Sequence, residues 1–251
     1  MKTGLSCAVF TEPGGRPVNE DSVGAFQNSG NFCYVLCDGL GGHGMGDAAS
    51  SLVVDVFEDQ FSKTDDAVNF LGQTFAAAQD ILMAEQKARN AQRKMKTTAV
   101  ALVTDERNAY IGHIGDSRLY VFKNNRVWFR TMDHSIPQML ALSGEIKENQ
   151  IRNHPDRNTL LRVIGVEWEE PMYELAAPVP LHKCQAFLLC SDGFWELIEE
   201  KDMCEQLRKA DSVDQWLNAM TQIVRENGIG RNMDNFSAVA VWNQGRKRFF
   251  W

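Results

Sequence analysis

The sequence contains no Cys-x-x-Cys pair, although it has six cysteines among its 251 residues. Most of them lie within apolar runs that are typical of strands, and this spacing does not resemble the disulfide framework of a small secreted domain. We therefore expect buried, reduced thiols that act as small hydrophobic side chains. The six are Cys7, Cys33, Cys37, Cys184, Cys190 and Cys204.

No histidine has a second histidine or cysteine at the spacing of a zinc site, and this argues against zinc ligation. We expect structural roles for the four histidines other than His43. These are His113, His134, His154 and His182.

The sequence also has little of what membrane proteins and nucleic-acid-binding proteins require. No apolar run is long enough to cross a bilayer. Residues 1–7 resemble a lipoprotein cleavage site, but no apolar stretch precedes them, so a first strand is the better interpretation. The formal net charge of −7 argues against nonspecific binding to nucleic acid. We expect a cytoplasmic protein without a transmembrane segment or a nucleic-acid partner.

No Pro-, Ser- or charge-rich linker divides the chain, so one domain over residues 1–251 is the expected organisation. The 44% of hydrophobic residues is enough to bury a sizeable core. Helical periodicity appears early, over 48–61 and after a capping Asp66, and late, over 202–209 and 213–226. Apolar runs typical of strands fill much of the rest. These are 5–10, 23–26, 32–37, 99–103, 109–114, 118–122, 127–131, 172–176, 186–190 and 236–242.

Four short runs, spread over nearly the whole chain, offer carboxylates to a common site. In two of them an aspartate closes an apolar stretch and precedes glycine, at Asp38 and Asp192. This pattern is typical of a strand that delivers a carboxylate to a sheet edge, where glycine permits a tight turn. A single Asp-Gly pair is above all a turn signal, but the whole set predicts a centre for Mg²⁺ or Mn²⁺, which prefer oxygen ligands. The runs are 18–22, 37–43, 191–194 and 233–237.

Taken in order, these runs resemble the metal-dependent Ser/Thr protein phosphatases of the protein phosphatase 2C family, particularly its compact bacterial members. No cysteine is followed six residues later by arginine, so the loop of the cysteine-dependent phosphatases is absent. The resemblance covers essentially the whole chain. It is carried by residues 16–21, 38–39, 97–98, 114–118, 133–135, 154–155, 191–193 and 234–235.

The resemblance implies an α+β fold of four layers, α-β-β-α, in which two central antiparallel sheets are flanked by helical pairs. It also implies hydrolysis of phosphoserine and phosphothreonine on proteins by attack of a metal-bridging water. The expected partners are phosphorylated proteins, including a cognate Ser/Thr kinase that the enzyme would oppose in signalling. By the same resemblance, residues 136–153 correspond to a mobile flap beside the active site. We expect a monomer.

The resemblance also implies roles for individual residues. Asp38 would bridge two cations, because one carboxylate can hold two ions about 3.5–4 Å apart. Asp192 and Asp234 would complete the shell of the first ion. Glu20 and the carbonyl of Gly39 would serve the second ion, partly through water.

Two further residues allow more than one interpretation. Arg16 stands where the family has an arginine that holds the phosphate, and its guanidinium matches two phosphoryl oxygens, but a surface arginine is the alternative. The position of Asp116 after a strand fits a residue that caps a hairpin and pairs with Arg118, whereas the resemblance implies that it holds a third, weaker metal ion with Asp192; the two roles are compatible.

His43 and the end of the sequence remain open. Eukaryotic members of the family place a histidine directly after the Asp-Gly pair, where this chain has Leu40, so His43 cannot be equated with that general acid and a role within its loop is favoured. Residues 245–251 mix three cations with three aromatic side chains. They could dock on an acidic partner or a membrane, although packing on the domain is favoured.

Two other functions fit the sequence less well. A pseudophosphatase that binds phosphoproteins without turnover is disfavoured by the intact set of aspartates and Arg16. An anti-sigma-pathway phosphatase of the same superfamily is disfavoured because those relatives generally lack the arginine and the flap.

Overall fold

The computed structural model describes residues 4–40 and 44–243. Residues 1–3, the loop of Gly41, Gly42 and His43, and the basic and aromatic run 245–251 lie outside these ranges, so the expectations for them stay predictions. Among the described residues, every helix is too short or too polar to span a bilayer.

One antiparallel sheet, sheet 1, has five strands and joins the two ends of the described chain. Eight residues of its first strand pair with eight of its last, from Leu5 opposite Asn243 to Glu12 opposite Phe236. Residues 5–7 therefore begin a strand, as the sequence predicts. In spatial order the strands are β1 (Leu5–Glu12), β12 (Phe236–Asn243), β11 (Ala186–Cys190), β7 (Arg118–Lys123) and β8 (Arg126–Arg130).

Sheet 2 is also antiparallel and has seven strands. Its central part has the spatial order β10 (Val179–Pro180), β6 (Asn108–Ile114), β5 (Ala99–Thr104), β3 (Asn31–Leu40) and β2 (Asp21–Asn28). Two short strands complete it, because β4 (Lys96–Thr97) pairs with β3 and β9 (Glu174–Leu175) pairs with β6. The strand predicted over 172–176 is thus wrong in length, since only two of its residues pair.

Four long helices cover the outer faces of the sheets. The helices α1 (Gly46–Ser62) and α2 (Ala67–Arg89) pack on sheet 2, and α5 (Glu200–Lys209) and α6 (Val213–Gly228) pack on sheet 1. The predicted cap is confirmed, because the side chain of Asp66 accepts hydrogen bonds from the first turn of α2.

Successive side chains along a strand point to opposite faces of the sheet, so alternate residues belong to different apolar layers. In β3, Cys33, Val35 and Cys37 face α1 and α2, whereas Tyr34 and Leu36 face the layer between the two sheets. A third apolar cluster lies between sheet 1 and its helices. The four layers α-β-β-α are therefore as the sequence predicts.

All six cysteines are free, as the sequence predicts. Burial raises the pKa of each thiol for which a shift is resolved, to about 11 at Cys7.

The segment compared with the family's flap contains regular structure that the sequence analysis did not predict. The helix α3 (Ile136–Ser143) starts at a Ser135 cap, and Gly144 ends it in the left-handed region at a φ of +81°. A 3-10 helix, Glu148–Asn153, follows. Ion pairs attach this segment to the sheet and to α5, from Glu148 to Arg130 and from Arg152 to Glu200 at 2.6 Å.

Candidate active site

Four aspartates from separate parts of the chain line one cleft of about 410 Å³ at an end of the two sheets. Asp38 lies near the end of β3, and Asp116 lies in the turn between β6 and β7. Asp192 opens the short helix α4 (Asp192–Trp195) directly after β11, and Asp234 precedes β12. The cleft therefore forms only when both sheets are in place. Arg16, Glu20 and Gly39 also line it.

Asp38 is held by its backbone. Its N–H donates to the Thr98 hydroxyl at 3.1 Å, and its carbonyl accepts from the Thr97 hydroxyl and from the Thr98 N–H at 2.8 and 2.9 Å. The next residue must be glycine, because a Cβ on Gly39 would lie 2.2 Å from the carbonyl oxygen of Gly46. This close approach of β3 to the start of α1 fixes the direction in which the Asp38 side chain leaves the sheet.

Glu20 lies beside the same approach. Its Oε1 accepts from the Gly46 N–H at 3.2 Å, at the start of α1, where the helix dipole favours a carboxylate. Its backbone carbonyl accepts from Ser50 at 2.6 Å and from Gly39 at 3.0 Å. The Glu20 side chain therefore both lines the cleft and accepts a hydrogen bond from the first residue of α1.

Asn235 joins the two chain segments that supply Glu20 and Asp234. Its Oδ1 accepts from the Glu20 N–H at 2.8 Å, and its Nδ2 donates to the carbonyls of Pro13 and Val18, both at 2.9 Å. The sequence analysis named the Asp-Asn pair as part of the resemblance but gave Asn235 no role. Through these three hydrogen bonds Asn235 fixes the loop that carries Arg16 and Glu20.

Arg16 contacts the cleft through a carboxylate. Its Nε and Nη2 donate to the two oxygens of Asp234 at 3.1 and 2.8 Å. This hydrogen bonding raises the pKa of the arginine further. The guanidinium therefore lies against a proposed metal ligand, and the interpretation as an unrelated surface arginine does not describe its contacts.

Burial and mutual repulsion make the negative charges of the cleft costly. Burial raises the pKa of Asp38 and of Asp192 well above the ordinary value, and neighbouring aspartates add to both shifts. Burial likewise raises the pKa of Asp116 to about 7 and that of Asp21 to about 6, and it raises the pKa of Glu20. Nearby positive charge would relieve this cost.

Asp21 is a residue that the sequence analysis did not single out. It is 7% exposed, and it lies opposite Asp38 in the register of β2 and β3. Its Oδ2 accepts from the Ser191 hydroxyl at 2.8 Å, whereas its Oδ1 is buried without a hydrogen-bond partner among the described residues. The sequence places Asp21 directly after Glu20, which could have pointed to it as a site residue. Sequence alone does not show which of two neighbouring carboxylates is buried.

One alternative for Asp116 needs correction. Arg118 does not form its ion pair with Asp116. Its Nε and Nη2 donate to the two oxygens of Asp133 at 2.8 and 2.6 Å, and its guanidinium lies 3.4 Å from the ring centroid of Trp195. The carbonyl of Asp116 accepts from the Trp195 indole at 3.0 Å. The carboxylate of Asp116 thus faces the cleft without the expected salt bridge.

Residues 15–236 match the family described as Protein phosphatase 2C. The chain is 31% identical over 230 residues to the Serine/threonine phosphatase stp of Listeria monocytogenes, with 89% of each chain covered. Its fold is similar to that of the serine/threonine phosphatase Stp1 from Staphylococcus aureus, with a TM-score of 0.87 and 28% identity over 96% of each chain.

A further similar structure is the catalytic domain of the serine threonine protein phosphatase PstP in complex with two manganese ions. The TM-score is 0.78 and the identity 25%, over 95% of this chain and 97% of the other. The matched family, these relatives and the shared fold agree with one another. The chain therefore belongs to the protein phosphatase 2C family and is a metal-dependent protein serine/threonine phosphatase of bacterial signalling.

Proposed function

We propose that the chain dephosphorylates phosphoserine and phosphothreonine on proteins with two divalent cations, Mg²⁺ or Mn²⁺, and a weaker third. Asp38 would be shared by the first two ions. Asp192 and Asp234 would complete the first site, and Glu20 with the Gly39 carbonyl would complete the second. The third ion would lie between Asp116 and Asp192.

The observation that carries this proposal is the group of buried carboxylates at the cleft. Burial and repulsion raise the pKa values of Asp38, Asp116 and Asp192 together, so the ionised group is unstable unless cations neutralise it. All side-chain donors offered are oxygens, the ligands that Mg²⁺ and Mn²⁺ prefer. The carboxyl of Asp21, buried opposite Asp38 in the register of β2 and β3, adds a further acidic group beside the cleft.

When bound, such cations lower the pKa of water and neutralise charge on a phosphoryl group. Arg16 carries a guanidinium fork that can bind two phosphoryl oxygens, and this role is supported by its place in the cleft lining beside Asp234.

Further parts of the proposal concern organisation and context. We infer one catalytic domain over residues 1–251, supported by the apolar cluster that lies between the two sheets. Residues 136–153 would be a flap, supported by Leu160, which lines the cleft and bridges to Ser135 beside α3. A monomer in the cytoplasm, acting on phosphorylated proteins and opposing a Ser/Thr kinase, completes the proposal.

The test uses the purified chain after removal of metal with a chelator. We expect loss of activity on phosphoserine and phosphothreonine peptides, and recovery with Mn²⁺ or Mg²⁺. A phosphotyrosine peptide and a thiol-alkylating reagent serve as controls, and the reagent should leave turnover intact. Full activity after rigorous chelation, or none with any divalent cation, would contradict the proposal.

A further inference from the structure

Three side chains lie together behind the turn that carries Asp116. They are His113 in β6, His134 before α3 and Glu174 in β9, and the atoms they could offer to a metal all lie within 4.8 Å of one another. The two imidazole rings are stacked, with centroids 4.6 Å apart and planes inclined by 13°. His113 and Glu174 lie opposite each other on β6 and β9 of sheet 2, and the segment before α3 brings His134 to them.

The hydrogen bonds of His134 argue against a metal site here. The Gly115 N–H donates to Nδ1 of His134 at 3.2 Å, so this nitrogen uses its lone pair and carries no proton. In a neutral ring the proton is then on Nε2, which cannot ligate a metal in that state. Nε2 of His113 lies 2.7 Å from the Met132 carbonyl oxygen, so it also carries a proton.

Glu174 favours the same tautomer of His134. Nε2 of His134 is buried and has no hydrogen-bond partner within the described ranges, but the Glu174 Oε2 lies 3.5 Å from it. A carboxylate at this distance stabilises an N–H that points toward it. Burial, together with His113 and Arg162, lowers the pKa of His134 to about 3, so the ring stays neutral near neutral pH.

The partner of His134 is a glycine under unusual constraint. Gly115 has a φ of +101°, and a Cβ there would lie 2.5 Å from Cγ2 of Thr98. Its carbonyl accepts from the backbone N–H of His134 at 2.9 Å, so both polar backbone groups of Gly115 bond to this one residue. The residue that follows is Asp116.

We propose that His134 is a positioning residue for Asp116. Glu174 selects the tautomer in which Nδ1 accepts the Gly115 N–H, and this hydrogen bond fixes the turn that presents the Asp116 carboxylate to the cleft. The proposal rests on the proposed function only for what Asp116 does there. The hydrogen bonding itself can be measured in protein that holds no metal.

Two substitutions at His134 separate the hydrogen bond from the volume of the ring. In His134→Asn the amide oxygen can stand near the place of Nδ1 and accept the Gly115 N–H, whereas His134→Leu has no acceptor. We expect Leu to lower the hydrogen-exchange protection of the Gly115 amide about tenfold, and Asn to restore most of it. The Mn²⁺ concentration that gives half-maximal activity should rise in the Leu variant and return with Asn.

Glu174→Gln tests the selection of the tautomer, and Glu170→Gln, at an exposed glutamate of the same segment, is its matched control. The ¹⁵N shifts of the His134 ring in the metal-free wild type should report a proton on Nε2, and Glu174→Gln should reduce the Gly115 protection while the control does not.

A proton on Nδ1 in the wild type would overturn the proposal without any variant, even if His134→Leu fails to fold. Tight Zn²⁺ binding that Glu174→Gln removes would assign the three side chains to a metal instead. Equal Gly115 protection in the Leu and Asn variants would also overturn it. Absence of phosphatase activity in the wild type would contradict the proposed function but would leave the exchange and tautomer results to decide this inference.

Discussion

The guanidinium of Arg16 and the carboxylate of Asp234 form a two-point salt bridge, with Nε to Oδ1 at 3.1 Å and Nη2 to Oδ2 at 2.8 Å. Arg16 is proposed to bind the phosphoryl group, and Asp234 is proposed to bind a cation. The two side chains are 44% and 38% exposed, so water screens the pair and little free energy is needed to separate it. A cation on Asp234 would therefore release Arg16 toward an incoming anion.

The first prediction concerns Arg16→Ala. Loss of charge-assisted hydrogen bonds, worth ~1.5–3 kcal/mol, should lower kcat/KM by roughly ten- to a hundredfold. The affinity for Mn²⁺ should be equal to that of the wild type or higher, because Asp234 loses its competing partner. Calorimetric titration with Mn²⁺ and steady-state kinetics measure the two effects. Arg16→Lys is the control for charge without the fork, and weaker Mn²⁺ binding in the Ala variant would contradict this account.

The second prediction concerns Asp38→Asn. Burial and the neighbouring carboxylates raise the pKa of Asp38 well above its ordinary value, so its charge destabilises the metal-free protein. Asparagine should raise the thermal midpoint of that form by a few degrees and abolish both activity and the stabilisation that Mn²⁺ gives. Asp55→Asn, on the exposed side of α1, should change none of these quantities. A lower midpoint for Asp38→Asn would show that the carboxylate is needed for folding.

The third prediction compares two aspartates near Arg118. Asp133 forms the two-point buried pair with Arg118, so Asp133→Asn should leave that cation with only the more distant Glu200 carboxylate, at 3.9 Å, and cost about 3 kcal/mol of the free energy of unfolding. Asp116→Asn should be at least as stable as the metal-free wild type, because burial raises the pKa of Asp116 to about 7, yet it should require more Mn²⁺ for half-maximal activity. Urea denaturation and Mn²⁺ titration of activity measure these effects. If Asp116→Asn is the less stable of the two variants, Asp116 is primarily structural.

The fourth prediction concerns pH. The folded protein has pKa values of about 6 at Asp21 and about 7 at Asp116, above the ordinary value near 4 in the unfolded chain. The metal-free folded form thus binds more protons. The contribution of these groups to stability is greatest below pH ~4 and is lost as the pH rises toward about 7.

Thermal unfolding of metal-free protein between pH 5 and pH 8 checks this sign. We expect the midpoint to fall less steeply with pH in Asp116→Asn than in the wild type. At saturating Mn²⁺ the trend should reverse, because protons compete with the cation for the same oxygens. An identical slope in the two metal-free proteins would contradict the raised pKa of Asp116.

Local signals were sufficient to predict most elements. Strands were predicted over 118–122 and 127–131, and β7 and β8 lie there, joined through Asn124 and Asn125 at φ values of +53° and +57° that asparagine tolerates in a hairpin turn. The sequence analysis did not predict α3. Its signals, a Ser135 cap and a proline in the first turn, belong to a helix of only eight residues, which is too short to show a clear helical periodicity. The strand over 172–176 was overestimated, since apolar character does not show how many residues find a partner.

Side-chain partners were the least predictable feature of the site. Of the aspartates that line the cleft, Asp38 and Asp192 could be named because each follows an apolar run, whereas the roles expected of Asp116 and Asp234 came from the family resemblance. Arg118 was assigned to its neighbour in sequence, Asp116, yet it pairs with Asp133 at a separation of 15 residues. Such pairings depend on how the segments cross in space, and periodicity carries no information on that.

The pairing of β1 with β12 has a consequence for synthesis of the protein. Arg16 and Asp234 are 218 residues apart in the chain, and among the described strands β1 has one neighbour in sheet 1, β12, which comes last of them in chain order. A nascent chain that lacks β12 would expose an unpaired strand on each side of the missing one and would hold an incomplete set of carboxylates. The cleft therefore cannot assemble until the chain has been synthesised through Asp234 and β12.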